Sequence, residues 1–281
     1  MRAWSICWVW FVAVSLLCLG IAPDIAVGAE LKFAGRKWTV KESPTPVGPG
    51  PNRFSADPKD VWVDKHGLHL TIHKKGEHWY STEVILDENL GYGTYLFQTN
   101  SRQDLLDDNA VFGAFTWDPH DDDERIPEYP NREIDFEDSR WGDPAAENSQ
   151  IVVQPGQVPG NHFRFNLPDL SEEAALTRYF TWSPGKVEFR SLHGKYMPED
   201  FPDSAVFHRH TYVESEQTKN ILPQPGRENF RFNLWLYEPD PSDKKPREPQ
   251  EGKPVEVVIS DFVYLPLDAS QTGNKSAAVE D

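Results

Sequence analysis

From Val61 onward the chain alternates apolar and polar positions in short runs that Gly, Pro, Asn and Asp interrupt. Gly67–His73, Tyr92–Gln98, Val111–Trp117, Lys186–Arg190 and Glu256–Tyr264 all carry this period of two. Such runs predict antiparallel strands with one buried face, and their number predicts a sandwich or barrel. The 24 prolines argue against long helices. One short helical turn is predicted at Ser171-Glu-Glu-Ala-Ala-Leu176, with Ser171 as its cap. Pro44 to Pro51 reads as an extended linker or edge segment. Glu238 to Pro254 contains no apolar residue except proline and predicts a solvated loop. The small, polar residues 268–281 predict a disordered tail. None of these stretches separates two cores, so one domain is expected over residues 30–267.

The amino terminus changes the picture of where this domain works. Arg2 precedes an apolar run from Ile6 to Ala22, followed by Val27-Gly-Ala29. A positive start, a short apolar stretch and small residues before the cut predict a secretory signal over residues 1–29. The run is at the short limit for a membrane span, which makes an uncleaved anchor the weaker reading. Leu17 before Cys18 argues against a lipid anchor. The expected location is secreted, periplasmic or extracellular, without membrane attachment after cleavage. Cys7 and Cys18 both fall inside the signal, so disulfide scaffolds, thiol nucleophiles and cysteine-bound zinc are excluded from the mature domain. Lys plus Arg total 28 against 45 Asp plus Glu, a formal net charge of −17. Without a basic cluster, such a chain repels phosphates and is not expected to bind nucleic acid. A hydrophobic content of 38% is enough for a core.

The most informative segment is Asn131-Arg-Glu-Ile-Asp-Phe-Glu-Asp138. As a strand it puts Glu133, Asp135 and Glu137 on one face and Ile134 and Phe136 on the other. Three neighbouring carboxylates repel one another, a cost that invites a functional explanation. Retaining glycosidases need two carboxyl groups about 5–5.5 Å apart, one as nucleophile and one as proton donor. At ~3.3 Å per residue the Cα atoms of Glu133 and Glu137 lie roughly 13 Å apart, a gap that two leaning Glu side chains largely close. Crowded negative charge raises at least one pKa in the group and keeps a carboxyl protonated near neutrality. The same pattern also fits an ordinary amphipathic strand with a wet acidic face. A calcium cluster is less apt, because ligands in line on one strand rarely wrap an ion.

Glu133-Ile-Asp-Phe-Glu137 resembles the signature of glycoside hydrolase family 16, which includes lichenases, laminarinases, agarases and xyloglucan transglycosylases. The unbulged spacing is similar to the lichenase and xyloglucan branch. Further segments resemble the family in the same order: Glu83 with Leu90-Gly-Tyr-Gly-Thr-Tyr95, Ala114–Trp117, Tyr179–Phe189, Phe232-Asn-Leu-Trp235 and Ile259–Tyr264. The resemblance implies an all-β fold, a concanavalin-like jelly-roll β-sandwich of two antiparallel sheets. It also implies Glu133 as nucleophile, Asp135 as its assistant and Glu137 as acid/base. There are departures. Ile85 stands where many lichenases carry an arginine, Arg132 precedes the nucleophile position, the segment from Asp118 to Pro130 is long and acidic, and Ser139-Arg-Trp-Gly142 replaces a Gly-containing turn.

Sugar rings present flat C–H faces, so glycan clefts use aromatic platforms with polar groups between them. Trp117, Trp141 and Trp235 are the platform candidates, against core packing as the commoner fate of tryptophan. Asn233, Glu83 and Tyr92 complete the expected substrate contacts, and Trp182 reads as core. His208 and His210 share a strand face but lack further zinc ligands. Asp261 falls where several family members hold a structural calcium, with a plain backbone-capping role as the alternative. The expectation is a secreted, endo-acting, retaining β-glucan hydrolase, lichenase-like, that needs no cofactor and works as a monomer on a polysaccharide. A catalytically silent glycan-binding module on the same sandwich is the alternative from another class, and a transglycosylase is the alternative within enzymes.

Overall fold

A computed structural model describes residues 26–120, 131–215, 221–240, 242–243 and 245–267. Most of the expected signal segment, the acidic run from Asp121 to Glu124 and the expected tail lie outside these residues. Among the described residues sixteen strands follow one another: β1 (Ala26–Phe33), β2 (Arg36–Val47), β3 (Asn52–Phe54), β4 (Val61–Asp64), β5 (Gly67–Lys75), β6 (His78–Leu86), β7 (Gly93–Asn100) and β8 (Ala110–Trp117). They continue as β9 (Ile134–Asp138), β10 (Ser149–Val153), β11 (His162–Phe165), β12 (Ala175–Ser183), β13 (Lys186–His193), β14 (Val206–Val213), β15 (Asn229–Leu236) and β16 (Val255–Pro266). The helical pieces among the described residues are two 3-10 turns, Gln103–Leu105 and Asp203–Ala205.

The strands form a jelly-roll sandwich. One sheet runs β11-β10-β9-β8-β15-β6, with β2 and β3 on the far side of β6 and β1 beyond β2. The other runs β5-β16-β7-β12-β13-β14, with β4 beside β5. The β5–β6 hairpin joins the two, and the pairing is antiparallel throughout except between β3 and β6. Between the sheets lies an aromatic core. Phe97 meets Phe136 and Phe232 edge-on at 5.5 and 5.6 Å between ring centroids, and Phe136 meets Phe189 at 5.1 Å. Edge-to-face packing of this kind adds to the burial of the rings themselves.

Every run read as a strand from its alternation is one, with ends shifted by a few residues. The predicted helical turn is not. Ser171 and Glu172 form a bend, and Ala175-Leu176 open β12. Leu176 is fully buried and pairs with Thr99 on β7 and His193 on β13. Ser171 does not cap; its backbone N–H donates to Asp169 Oδ1 at 2.8 Å. Tertiary strand pairing outweighs the local helix signal here. Pro44 to Pro51 is an edge, as read: β2 carries it to Val47, and a turn then leads into β3. Strand β1 begins at Ala26, upstream of the expected cleavage after Ala29, and its backbone pairs with β2 from Ala26↔Glu42 onward.

Candidate active site

Strand β9 lies between β8 and β10. Its Ile134 and Phe136 are fully buried between the sheets, so alternation turns Glu133, Asp135 and Glu137 to the opposite face. There all three line a cavity of about 350 Å³ together with Lys41, Glu83, Phe115, Trp117, Arg231, Asn233 and Trp235. Register builds the floor. Glu83 on β6, Asn233 on β15, Gly113 on β8, Glu137 on β9, Gln150 on β10 and Arg164 on β11 are successive cross-strand partners. One step along the strands, Ile85, Arg231, Phe115, Asp135, Val152 and His162 form a second row. Gly113 is required by the first row, because a Cβ there would sit 2.4 Å from Asn233 Oδ1.

Both ends of β9 are held from outside the cleft. At its start Arg132 adopts φ +50° and reaches Asp118 at 3.2 Å and the Gln224 carbonyl at 3.1 Å. The Thr116 hydroxyl donates to the Arg132 carbonyl and accepts from the Ile134 N–H. At its end Asp138 points into the core and pairs with Arg178 through two bonds of 2.7 and 2.6 Å, both side chains being fully buried. Gln103 and Ser149 donate to the same carboxylate. The Arg178 guanidinium also lies 5.2–5.9 Å from the ring centres of Phe97, Phe112 and Phe136.

The cleft face has no such compensation. Burial, and then the charge of Glu137, push Glu133 up to about 8, against the pull of its hydrogen bond with Asp135 and of the Arg231 charge. Burial pushes Glu137 up to about 7, while the Gln150 hydrogen bond and the Arg164 charge hold it down. Asp135, 2% exposed and flanked by both glutamates, is raised well above the carboxylate range, mainly by burial. The three titrate as one unit and retain protons near neutrality. Gln150 is the hub on one side. Its Nε2 donates to Glu137 at 2.6 Å, and its Oε1 accepts from Trp141 Nε1 and Arg164 and lies 3.0 Å from His162 Nε2. On the other side Glu83 is clamped between Lys41 at 2.9 Å and Arg231 at 3.0 Å. Arg231 also lies 6.0 Å from the Trp117 ring centre.

Of the residues singled out from sequence, the acidic trio Glu133, Asp135 and Glu137, with Trp117, Asn233, Trp235 and Glu83, come together in this cavity. Trp141 does not line the cavity itself; it has φ +53°, with its ring edge-on to the lining residue Trp235 at 5.9 Å and to Tyr237 at 5.2 Å. Tyr92 lies elsewhere, edge-on to the fully buried Trp182 and packed against the core. Asp261 is at a bulge in β16 and accepts from the Phe262 N–H at 2.8 Å, the capping role. His208 and His210 stack with Phe163 at the sandwich edge. Among the described residues no group of three His, Cys, Asp or Glu is arranged to hold a metal, and no helix is long and apolar enough to cross a membrane. Sequence reasoning missed Lys41, Gln150, His162, Arg164 and Arg231. Of these only Arg231 carried a signal, since it alternates with Asn233 and Trp235 in one strand.

No protein-family model matches the chain, and no curated protein matches it. Solved structures do. A Bacillus licheniformis β-glucanase is similar at 18% identity and a TM-score of 0.56, over 82% of this chain and 92% of that one. A family 16 endo-glucanase from Bacteroides ovatus gives 16% and 0.56, over 81% and 94%. A prokaryotic β-1,3-1,4-glucanase (lichenase) from a mouse hindgut metagenome gives 17% and 0.54, over 82% and 93%. At such identities the likeness establishes the fold, a jelly roll shared with family 16 glucanases.

Proposed function

We propose that this chain is a secreted, retaining glycoside hydrolase that cleaves a β-linked glucan, with mixed-linkage β-1,3/1,4-glucan as the favoured substrate. The observation that carries the reading is the under-compensated acid trio at β9, facing a cavity lined by Trp117 and Trp235, with burial pushing all three carboxyls upward. A folded chain gains nothing from three repelling, desolvated carboxyls unless chemistry uses them.

Because the trio shares its protons, the reactive form is the one in which Glu137 keeps a proton and Glu133 is the carboxylate; in it Glu133 attacks the anomeric carbon while Glu137 donates to the leaving glycosidic oxygen, so the C–O bond breaks as an ester to Glu133 forms. Glu137, now a carboxylate, takes a proton from water, which displaces Glu133 and restores the β configuration. Asp135 holds the Glu133 carboxyl through its hydrogen bond, and Gln150 orients Glu137. No cofactor has a step, and hydrolysis is expected to continue in chelator. The test is a panel of polysaccharides incubated with purified protein and Glu133→Ala, with products read by mass. Turnover by the parent and none by the variant is expected; unchanged turnover by Glu133→Ala refutes the nucleophile. Binding without turnover by the parent points instead to the glycan-binding module.

A further inference from the structure

Resting on the hydrolytic reading, we propose that the chain's own Gly48–Pro49 turn closes the donor end of the cleft. The enzyme then cuts a short, fixed distance from the non-reducing end of its glucan instead of at internal bonds. The direction follows from how the two acids are held. Glu137 is drawn toward β10 by Gln150, whereas on the other side of β9 Arg231, placed by its pairing with Phe115 two strands away, lines the cavity with Glu133. The leaving sugar therefore lies over β10 and β11, beside Gln150, His162 and Arg164. The sugar that bonds to Glu133 lies over β8 and β15, and the rest of the donor continues toward β6 and β2.

At β2 the floor is no longer open. Lys41 follows Thr39 and continues the cleft-facing row that reaches Glu83, yet it is 6% exposed, and Ser43 beyond it is 7% exposed. The cover is the turn after β2. Lys41 Nζ donates to the Gly48 carbonyl at 2.7 Å as well as to Glu83, and Gly48 and Pro49 themselves line the cavity. Gly50 packs close to the Trp235 ring, at 3.4 Å from a Cβ built on it. Buried Asn52 then ties the turn to the opposite strand. Its Nδ2 donates to the Pro49 and Leu236 carbonyls at 2.9 and 2.8 Å, and its Oδ1 accepts from the Leu236 N–H and the Ser81 hydroxyl. The turn is thus fastened to β2, β6 and β15 together. From β9 to β6 there are three strand spacings, ~14 Å in all, which leaves room for about two or three pyranose rings. The cavity volume of about 350 Å³ fits the same small number.

The experiment uses the unmodified protein with reducing-end-labelled β-glucan oligosaccharides and with the intact polymer, followed by mass and viscosity from the earliest times. Unlabelled products of two or three sugars should dominate at once, with stepwise shortening of the labelled remainder and a slow fall in viscosity. A ladder of long products with early loss of viscosity overturns the closed end while leaving hydrolysis intact. No product from any glucan overturns hydrolysis itself and this inference with it. In Asn52→Ala, shown to be folded by its thermal melt, longer donor products should appear. An unchanged product length in that variant shows that the turn is not the ruler and overturns the inference.

Discussion

Replacing Glu133 by Gln should make the protein more stable while removing its activity, and the gain should depend on pH. In the folded chain burial and the Glu137 charge raise Glu133 from 4.5 to about 8. Between those values the native state holds a proton that the unfolded chain releases. The native carboxyl is therefore without penalty below about pH 4.5, and stability is lost as pH rises toward 8. At about 1.4 kcal/mol per tenfold change in proton affinity, the ceiling at pH 8 is about 5 kcal/mol. Three coupled groups share those protons and Glu133 keeps partial contact with solvent, so ~1–3 kcal/mol is the expected part. Gln keeps the shape and can still bond Asp135, but carries no charge to desolvate. For a domain of this size that is on the order of 3–8 °C in Tm. Thermal unfolding of parent and Glu133→Gln by calorimetry at pH 4.5, 6 and 8 reads the effect directly. The gain should be near zero at pH 4.5 and largest at pH 8. A variant no more stable at pH 8, or one equally stabilised at all three values, refutes the claim that the trio is an electrostatic burden of the fold.

Three other outcomes follow from particular contacts. Gly113→Ala places a methyl 2.4 Å from Asn233 Oδ1 and must displace that side chain, so kcat/KM should fall by about ten- to a hundredfold with little change in melting temperature. Gln150→Ala removes the hydrogen bond that holds Glu137 down; its pKa should rise and carry the alkaline limb of the kcat/KM profile to higher pH, where an unmoved limb would exclude Gln150 as its tuner. His208 is lowered to about 4 by burial and by the His210 charge, so its stabilising contribution is whole above pH 6.5 and lost as pH falls through 4. The unfolding free energy of His208→Gln, read from urea denaturation, should accordingly fall less than that of the parent between pH 6.5 and 4, by ~1–2 kcal/mol after allowance for partial solvent access.

The strands were legible because a half-buried sheet imposes period two, and β9 was legible because three acids on one face of a strand carry an electrostatic cost. What sequence could not supply was register. Gln150 and Arg164 acquire their roles only because they pair, in turn, with Glu137 on β9 and Gln150 on β10. No periodicity within β10 or β11 carries that information. The departure at Ile85 shows the same point from the other side. Ile85 pairs with Arg231, so a guanidinium reaches the cleft from the neighbouring strand instead. Tyr92, expected as a substrate contact, instead lays its ring against Trp182. Ser171–Leu176 was read as helical because its best partners, Thr99 and His193, are distant in sequence.

The two faces of β9 also explain how the chain tolerates its site. On the core side, Asp138 is buried completely but receives Arg178, Gln103 and Ser149, so its charge is matched and every approach is hydrogen-bonded. On the cleft side three acids share the distant help of Arg231 and Arg164 and remain under-compensated. A buried ion pair is a weak source of net stability, because desolvation offsets most of its attraction. Its geometry, however, is demanding, and here it fixes the residue immediately after Glu137. The aromatic rings packed around Arg178 belong to both sheets, Phe97 from β7 and Phe112 and Phe136 from the sheet of the cleft. Repulsion among the acids would be relieved most easily by twisting β9 away from its neighbours. The Asp138–Arg178 pair at one end and the Arg132–Asp118 pair at the other resist that movement. The acids are left to answer repulsion by taking up a proton, which is the state from which a general acid works.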